Sequence, residues 1–135
     1  MNVVLDTNVL IVAISSHSPY RPIFDSFLKE EYSLCVTSDI LMEYEEIIGR
    51  YLGNKIATNV LQLIENSPNV NWITRYYKWE LIKDDPDDNK FVDCAIAGNA
   101  KFLVSEDKHF HILREIEFPK LNLVNAKEFL KELEN

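Results

Sequence analysis

The chain has 135 residues, of which 47% are hydrophobic, and it carries a formal net charge of −8 at pH 7. These values are typical of one globular domain and exclude a disordered chain, and the absence of any apolar run of about 18 residues excludes a membrane span. The negative charge argues against general electrostatic attraction to nucleic acid, so such a partner would need metal ions, local basic residues or another subunit.

The first patterned stretch is V-V-L-D-T-N-V-L-I, at residues 3–11. Its β-branched start predicts a buried strand, and Asp6 stands where this strand passes into a short helix. Ligands of open α/β sheets bind at the carboxyl ends of strands, so Asp6 is a candidate site residue. The alternative is that Asp6 only caps the helix.

Strands and helices alternate along the rest of the chain. Further strands are predicted at 32–36, 70–74, 102–104 and 121–124, and helices at 22–30, 40–52, 55–65, 86–100 and 126–133, with a helical turn at 108–113. Residues 75–85 are rich in aromatic side chains and predict no definite element. This alternation predicts a single α/β domain over residues 1–135, with a parallel sheet covered by helices on both faces.

Cellular location is inferred from the first residues and the cysteines. The chain enters its first strand without a basic leader, and Cys35 and Cys94 fall in apolar segments. We therefore expect a cytoplasmic protein with buried, reduced thiols.

The predicted helix at 86–100 begins among acids. Asp85 suits the N-cap, and Asp87 suits the first turn, where the helix dipole favours negative charge. Asp88 instead falls in line with the apolar stripe of the helix, where an acid is costly unless it is paired, capping or bound to metal. We therefore predict a functional role for Asp88, and we place Asp93 off the stripe as a flanking residue.

The helix at 40–52 offers three acids. Its apolar stripe consists of Ile40, Leu41, Tyr44, Ile47, Ile48 and Tyr51. Glu46 points away from this stripe, whereas Glu43 and Glu45 flank its two edges. Periodicity does not separate Glu43 from Glu45.

The fourth strand repeats the arrangement of the first. It is followed by Ser105 and Asp107, and Ser105 can hydrogen-bond a neighbouring carboxylate or cap the next turn. If the first and fourth strands are neighbours, Asp6 and Asp107 face one crevice. The alternative for Asp107 is a cap of the turn at 108–113.

The three histidines, His17, His109 and His111, are interpreted as residues of the surface or of the surroundings of a site.

Four segments, taken in order, resemble the PIN domain family, and in particular the VapC-like toxins of toxin–antitoxin pairs. They are L-D-T-N-V-L at 5–10, S-D-I-L-M-E-Y at 38–44, D-P-D-D-N-K-F at 85–91 and L-V-S-E-D at 103–107. The resemblance covers essentially the whole chain. It implies a three-layer α/β/α sandwich whose central parallel sheet of about five strands has the order 3-2-1-4-5.

The resemblance also implies metal-dependent hydrolysis of RNA. The family's four acids carry over to Asp6, Glu43, Asp88 and Asp107, which favours Glu43 over Glu45. Asp6 and Asp88 would hold the principal ion directly, while Glu43 and Asp107 complete the acidic pocket through water or a second ion. The supporting positions are Thr7, Asn8, Ser105 and, for a second ion, Asp93.

Cofactor and partners follow from the same resemblance. Mg²⁺ or Mn²⁺ is expected, since hard ions prefer carboxylate and water oxygens. The expected partners are an RNA substrate, a cognate antitoxin that covers the crevice with a basic side chain, and a second copy of the chain. Apolar residues on the helices at 22–30 and 55–65 also favour a homodimer.

The sequence fits three other classes of protein less well. Haloacid dehalogenase-type enzymes need a second aspartate where this chain has Asn8, and receiver domains need paired acids where Asp6 stands alone. The third is a non-catalytic PIN fold that binds RNA or acts as a scaffold. All four acids are present, which argues against it, and binding of a divalent metal would separate the two cases.

Overall fold

The structure, a computed structural model, describes residues 1–74 and 77–134. Its centre is a five-stranded sheet in which every pairing is parallel and the strand order is β3-β2-β1-β4-β5. The strands are β1 (Asn2–Leu5), β2 (Ser33–Val36), β3 (Val70–Trp72), β4 (Phe102–Val104) and β5 (Leu123–Val124). The strand order implied by the resemblance is confirmed.

Helices connect the strands and flank the sheet. They are α1 (Thr7–Ile14), α2 (Arg21–Leu28), α3 (Ser38–Leu52), α4 (Asn54–Asn66), α5 (Asn89–Ala97) and α6 (Ala126–Glu134), with 3₁₀ turns at Pro86–Asp88 and Lys108–Glu115. In the described part of the chain, no helix is both long enough and apolar enough to cross a membrane.

The core lies on the strands because their side chains are apolar on both faces. Val3, Val4, Val36 and Val104 are fully buried. A parallel sheet covered on two faces requires such continuous apolar runs, and that pattern is why these short strands could be recognised in the sequence.

At the carboxyl ends of β1 and β4, hydrogen bonds connect these strands to each other and to α3. Leu5 is in register with Val104, and the Asp6 N–H donates to the Val104 carbonyl at 2.9 Å. The buried Tyr44 hydroxyl donates to the Leu5 carbonyl at 2.6 Å. This bond brings α3 to the carboxyl end of β1.

The predicted helix at 86–100 is shorter than expected and begins differently. A 3₁₀ turn over Pro86–Asp88 comes first, closed by the Asp88 N–H on the Asp85 carbonyl at 3.1 Å. The Asn89 side chain then exchanges two hydrogen bonds with the backbone of Ile82, at 2.9 and 2.8 Å. These bonds hold the preceding loop against the start of α5, so the α-helix begins at Asn89.

The other differences concern boundaries. The predicted strand at 121–124 is paired only over Leu123–Val124, and the third strand ends at Trp72. Residues 77–85 form no helix or strand, in line with the indefinite pattern there, while residues 75 and 76 of that segment lie outside the described residues.

Candidate functional site

An acidic crevice of about 250 Å³ opens at the carboxyl ends of β1 and β4. We use this name for the space lined by Asp6, Thr7, Asn8, Glu43, Ile47, Tyr51, Asp85, Asp88 and Asp107. The four acids that the resemblance selected therefore line one space. A fifth acid, Asp85, joins them.

Asp6 and Asp107 are placed by the adjacent strands β1 and β4. Asp6 caps α1 by accepting the Thr7 N–H at 2.8 Å, and its other oxygen accepts the Ser105 hydroxyl at 2.8 Å. Ser105 in turn accepts the Asp107 N–H at 3.0 Å, and Asp107 accepts the His109 N–H at 2.9 Å. Both acids are therefore helix caps and crevice residues at once.

Glu43 is the acid of α3 that reaches the crevice, while Glu45 is exposed and does not line it. One Glu43 oxygen accepts the Thr7 hydroxyl. The other lies 2.7 Å from the ammonium group of Lys90. Thr7, a predicted supporting residue, thus acts directly on a crevice acid.

Asp88 is not a helix cap, because its side chain accepts no capping hydrogen bond at the start of α5. Its Oδ2 is buried and has no hydrogen-bond partner among the described residues. Burial raises the pKa of Asp88 to about 7, and the charges of Asp85, Asp6 and Asp107 add to the shift. A buried acceptor without a donor is costly, so Asp88 fits a role in holding a cation better than a structural role.

Asp85 holds an N-cap position, as the sequence predicts, but that of the 3₁₀ turn at Pro86–Asp88. Its side chain makes no capping hydrogen bond and lines the crevice instead. In a 3₁₀ turn, residues three apart lie on the same side, which brings Asp85 beside Asp88. If residues 85–88 (D-P-D-D) are given 3₁₀ rather than α-helical spacing, the sequence predicts that Asp85 lies on the same side as Asp88.

His109, predicted to lie on the surface or in the surroundings of a site, is close to three of the crevice acids. Its Nδ1 lies 3.3 Å from Asp107 Oδ1 and 3.9 Å from both Asp85 Oδ2 and Asp88 Oδ2. That nitrogen is buried and makes no hydrogen bond within the described residues. The ligand atoms of Asp85, Asp88 and His109 all lie within 4.8 Å of one another, close enough to hold one metal ion.

The other residues singled out in the sequence have different positions. Asn8 lines the crevice and is exposed. Asp93 is 2% exposed rather than a flanking surface residue, and it accepts the Trp79 N–H at 3.1 Å. It lines a different cleft, of about 530 Å³, and is not among the residues that line the acidic crevice. Tyr51, predicted on the apolar stripe of α3, is 67% exposed at the rim of the crevice.

The electrostatics of the crevice favour a bound cation. Burial raises the pKa of Asp6 to about 6; hydrogen bonds from Ser105 and Thr7 oppose the shift, and the charges of Glu43 and Asp107 add to it. Acids whose ionisation is held back in this way ionise more readily when a cation is present. Carboxylate oxygens suit Mg²⁺ and Mn²⁺. Within residues 1–74 and 77–134, Asp88 Oδ2 and His109 Nδ1 have no hydrogen-bond partner and could bind such an ion, so the residues present fit a divalent metal.

Comparison with known proteins gives a family and a set of similar folds. The family model described as PIN domain matches residues 2–109. No curated protein sequence matches the chain.

The similar solved structures include two VapBC structures and one VapC structure. One is VapBC2 from Rickettsia felis bound to a DNA fragment from its promoter, with 20% identity, TM-score 0.64 and coverage of 93% of this chain and 98% of that one. VapBC-1 from nontypeable Haemophilus influenzae has 18% identity, TM-score 0.63 and coverage of 94% and 99%. VapC20 from Mycobacterium tuberculosis, a toxin that cleaves the sarcin–ricin loop, has 12% identity, TM-score 0.59 and coverage of 81% and 92%.

Proposed function

The chain belongs to the PIN domain family, whose members are generally metal-dependent nucleases, and we propose that it hydrolyses RNA phosphodiester bonds as the toxin of a type II toxin–antitoxin pair. The observation that carries this proposal is the convergence of Asp6, Glu43, Asp88 and Asp107 on one crevice. We take residues 1–135 as one such domain, because α6, beyond the family match, places the fully buried Phe129 in the same core.

The resemblance divides the crevice acids into two groups. Asp6, whose two oxygens each accept one hydrogen bond, and Asp88, whose Oδ2 has no hydrogen-bond partner among the described residues, would hold the principal ion. Glu43 and Asp107 are held by their own hydrogen bonds and complete the negative pocket. A bound Mg²⁺ or Mn²⁺ supplies an activated water and offsets charge on the phosphate.

Because the net charge is −8, a bound cation would also help RNA to bind. An acidic surface repels RNA phosphates, and a cation held at the crevice is a local positive centre where a phosphate can approach. RNA affinity should therefore depend on the divalent ion as well as on ionic strength.

We propose an antitoxin partner because the fold is similar to that of VapBC structures. The neighbours from Rickettsia felis and Haemophilus influenzae are VapBC structures. An antitoxin that covers this crevice must offset its buried acids, so we propose that an Arg or Lys of the antitoxin reaches Asp6 and Asp88. A complex whose antitoxin brings no basic side chain to the crevice would contradict this mechanism.

Cleavage of single-stranded RNA with purified protein tests the proposal. We expect cleavage with Mg²⁺ or Mn²⁺ and none with chelator. Asp6→Asn and Asp88→Asn should each abolish it, whereas Asp87→Asn, at an exposed neighbouring acid, should not. Equal activity of the wild type and Asp88→Asn, with contaminating nuclease excluded, would overturn the assignment.

The competing function is a non-catalytic PIN fold that binds RNA or acts as a scaffold. Such a module has no need of a metal site. Absence of divalent-metal binding by the wild type, measured by calorimetry, would favour it over the nuclease.

A further inference from the structure

Lys90 is a buried lysine beside the acidic crevice. Only 8% of the residue is exposed, and its Nζ lies 2.7 Å from Glu43 Oε1 and 2.9 Å from Asp87 Oδ1. A buried ammonium group persists when acids pair with it, so Lys90 is a fixed positive charge at this edge of the crevice.

The pairing leaves Glu43 with both carboxylate oxygens in use. Oε1 contacts Lys90, and Oε2 accepts the Thr7 hydroxyl. Thr7 is fixed at the start of α1 and Lys90 lies in α5, so Glu43 is held between two elements. This geometry differs from that of Asp88, whose Oδ2 has no hydrogen-bond partner in the described chain.

We propose that Lys90 is a positioning residue that acts through Glu43: it holds the carboxylate in one orientation and prevents it from turning onto the cation held by the other acids. This inference rests on the proposed metal-dependent hydrolysis. Glu43 then faces the crevice as a fixed hydrogen-bond acceptor, and its charge is balanced by Lys90.

Removal of Lys90 should move two measurements in opposite directions. Without the ammonium group, Glu43 Oε1 is released and the crevice becomes more negative, so cation binding should tighten. Turnover should fall, because Glu43 no longer keeps the orientation that the reaction uses. A lysine needed only for folding would instead weaken both.

The test compares Lys90→Met and Lys90→Arg with the wild type. Mn²⁺ binding is measured by electron paramagnetic resonance titration without RNA, and kcat for RNA cleavage is measured at saturating Mn²⁺. For Lys90→Met we expect Mn²⁺ affinity to rise about threefold or more and kcat to fall about tenfold or more. Lys90→Arg keeps the charge and should recover part of kcat.

Lys101→Met is the matched control. Lys101 Nζ lies 5.4 Å from the centroid of the Phe102 ring, as Lys90 Nζ lies 5.4 Å from that of Phe91, but Lys101 is exposed and does not line the crevice. This control should match the wild type in both measurements.

A double-mutant cycle tests whether Lys90 acts through Glu43. Adding Lys90→Met to Glu43→Gln should lower kcat no further, since the carboxylate that Lys90 positions is already gone. The double variant also removes both charges of the pair, so it should fold even if Lys90→Met alone does not.

Several outcomes would overturn the inference while leaving the proposed nuclease intact. They are an unchanged kcat in Lys90→Met, weaker Mn²⁺ binding in that variant, or a further loss of kcat when it is added to Glu43→Gln. If the wild type itself fails to cleave RNA, the proposed function fails, and the Mn²⁺ titration alone decides whether Lys90 opposes cation binding.

Discussion

The Ser105 hydroxyl donates a 2.8 Å hydrogen bond to Oδ2 of the crevice residue Asp6, which lies 99 positions earlier in the chain. The bond connects the ends of the neighbouring strands β1 and β4. Because Ser105 also accepts the Asp107 N–H at 3.0 Å, one buried hydroxyl orients two acids.

We predict that Ser105→Ala disturbs both stability and cation binding. Loss of the hydroxyl leaves the buried Asp6 Oδ2 and the half-buried Asp107 N–H without this partner, which should lower the free energy of unfolding by about 1–3 kcal/mol. It also removes a hydrogen bond that lowers the pKa of Asp6, so that pKa should rise further. Mn²⁺ binding should therefore weaken more at pH 6 than at pH 8.

Denaturant unfolding and Mn²⁺ titration at the two pH values check this prediction. Ser67→Ala is the control, since its exposed hydroxyl donates only to the Leu63 carbonyl at the end of α4. An unfolding free energy and pH dependence equal to those of the wild type would show that Ser105 does not support Asp6.

The positions of the two acids that follow strands could be predicted from the sequence alone. Asp6 and Asp107 could be predicted because apolar strand runs mark the sheet, and neighbouring parallel strands end at the same edge. Glu43 needed the family resemblance, because it and Glu45 flank the same stripe. The deciding contact is the bond between Tyr44 and the Leu5 carbonyl, which no periodicity reveals.

The residues that were missed depend on backbone geometry and on distant contacts. Asp85 lines the crevice because the chain forms a 3₁₀ turn where an α-helix is predicted. His109 lies on the helical turn that the sequence predicts, but the local pattern does not show that Asp85 and Asp88 lie 3.9 Å from its Nδ1. Asp93 is buried because the backbone at Trp79 lies against it. Local pattern does not encode that packing.

His109 leads to a prediction about metal preference. If His109 Nδ1 binds the same ion as Asp85 and Asp88, His109→Gln should weaken Co²⁺ binding by about tenfold. Imidazole nitrogen is a good ligand for divalent transition metals such as Co²⁺. Mg²⁺, which prefers oxygen ligands, should be affected much less. Co²⁺ absorption and calorimetry measure the two affinities.

His111→Gln provides the comparison for that variant, since His111 lies on the same 3₁₀ turn and is exposed. Equal Co²⁺ affinity of both histidine variants and the wild type would exclude His109 as a ligand.

The exposed apolar residues of α2 and α4 lead to a prediction of self-association. Leu28, Ile56 and Leu63 are each more than 40% exposed, and Ile56 and Leu63, seven residues apart, lie on one face of α4. We predict a homodimer, isologous as most dimers are, and we expect Leu63→Glu to weaken it. Light scattering that reports a monomeric wild type at tens of micromolar, roughly where a moderate interface assembles, would contradict this.

Asp88 gives a prediction about stability and pH in the metal-free protein. Folding raises the pKa of Asp6 to about 6 and that of Asp88 to about 7, above the unfolded value of about 4 for aspartate. A raised folded pKa means that the folded state binds protons more tightly. The stabilisation is therefore fully present below about pH 4 and is lost as pH rises through 6 and 7.

We therefore expect the melting temperature in chelator to fall between pH 4 and pH 8, and Asp88→Asn to reduce this fall. At pH 8 Asp88→Asn should melt higher than the wild type, by several degrees for a change of about 1–2 kcal/mol. At pH 5 the two melting temperatures should agree, because Asp88 is then protonated and neutral like asparagine.

Millimolar-order Mg²⁺ or Mn²⁺ should raise the melting temperature of the wild type at pH 8 and that of Asp88→Asn much less, because metal stabilises only a folded state that binds it. If Asp88 were instead a helix cap, its loss would lower stability by about 1 kcal/mol at pH 8. A variant that melts lower than the wild type in chelator at pH 8, with equal responses of both proteins to metal, would therefore refute the role of Asp88 in holding the cation.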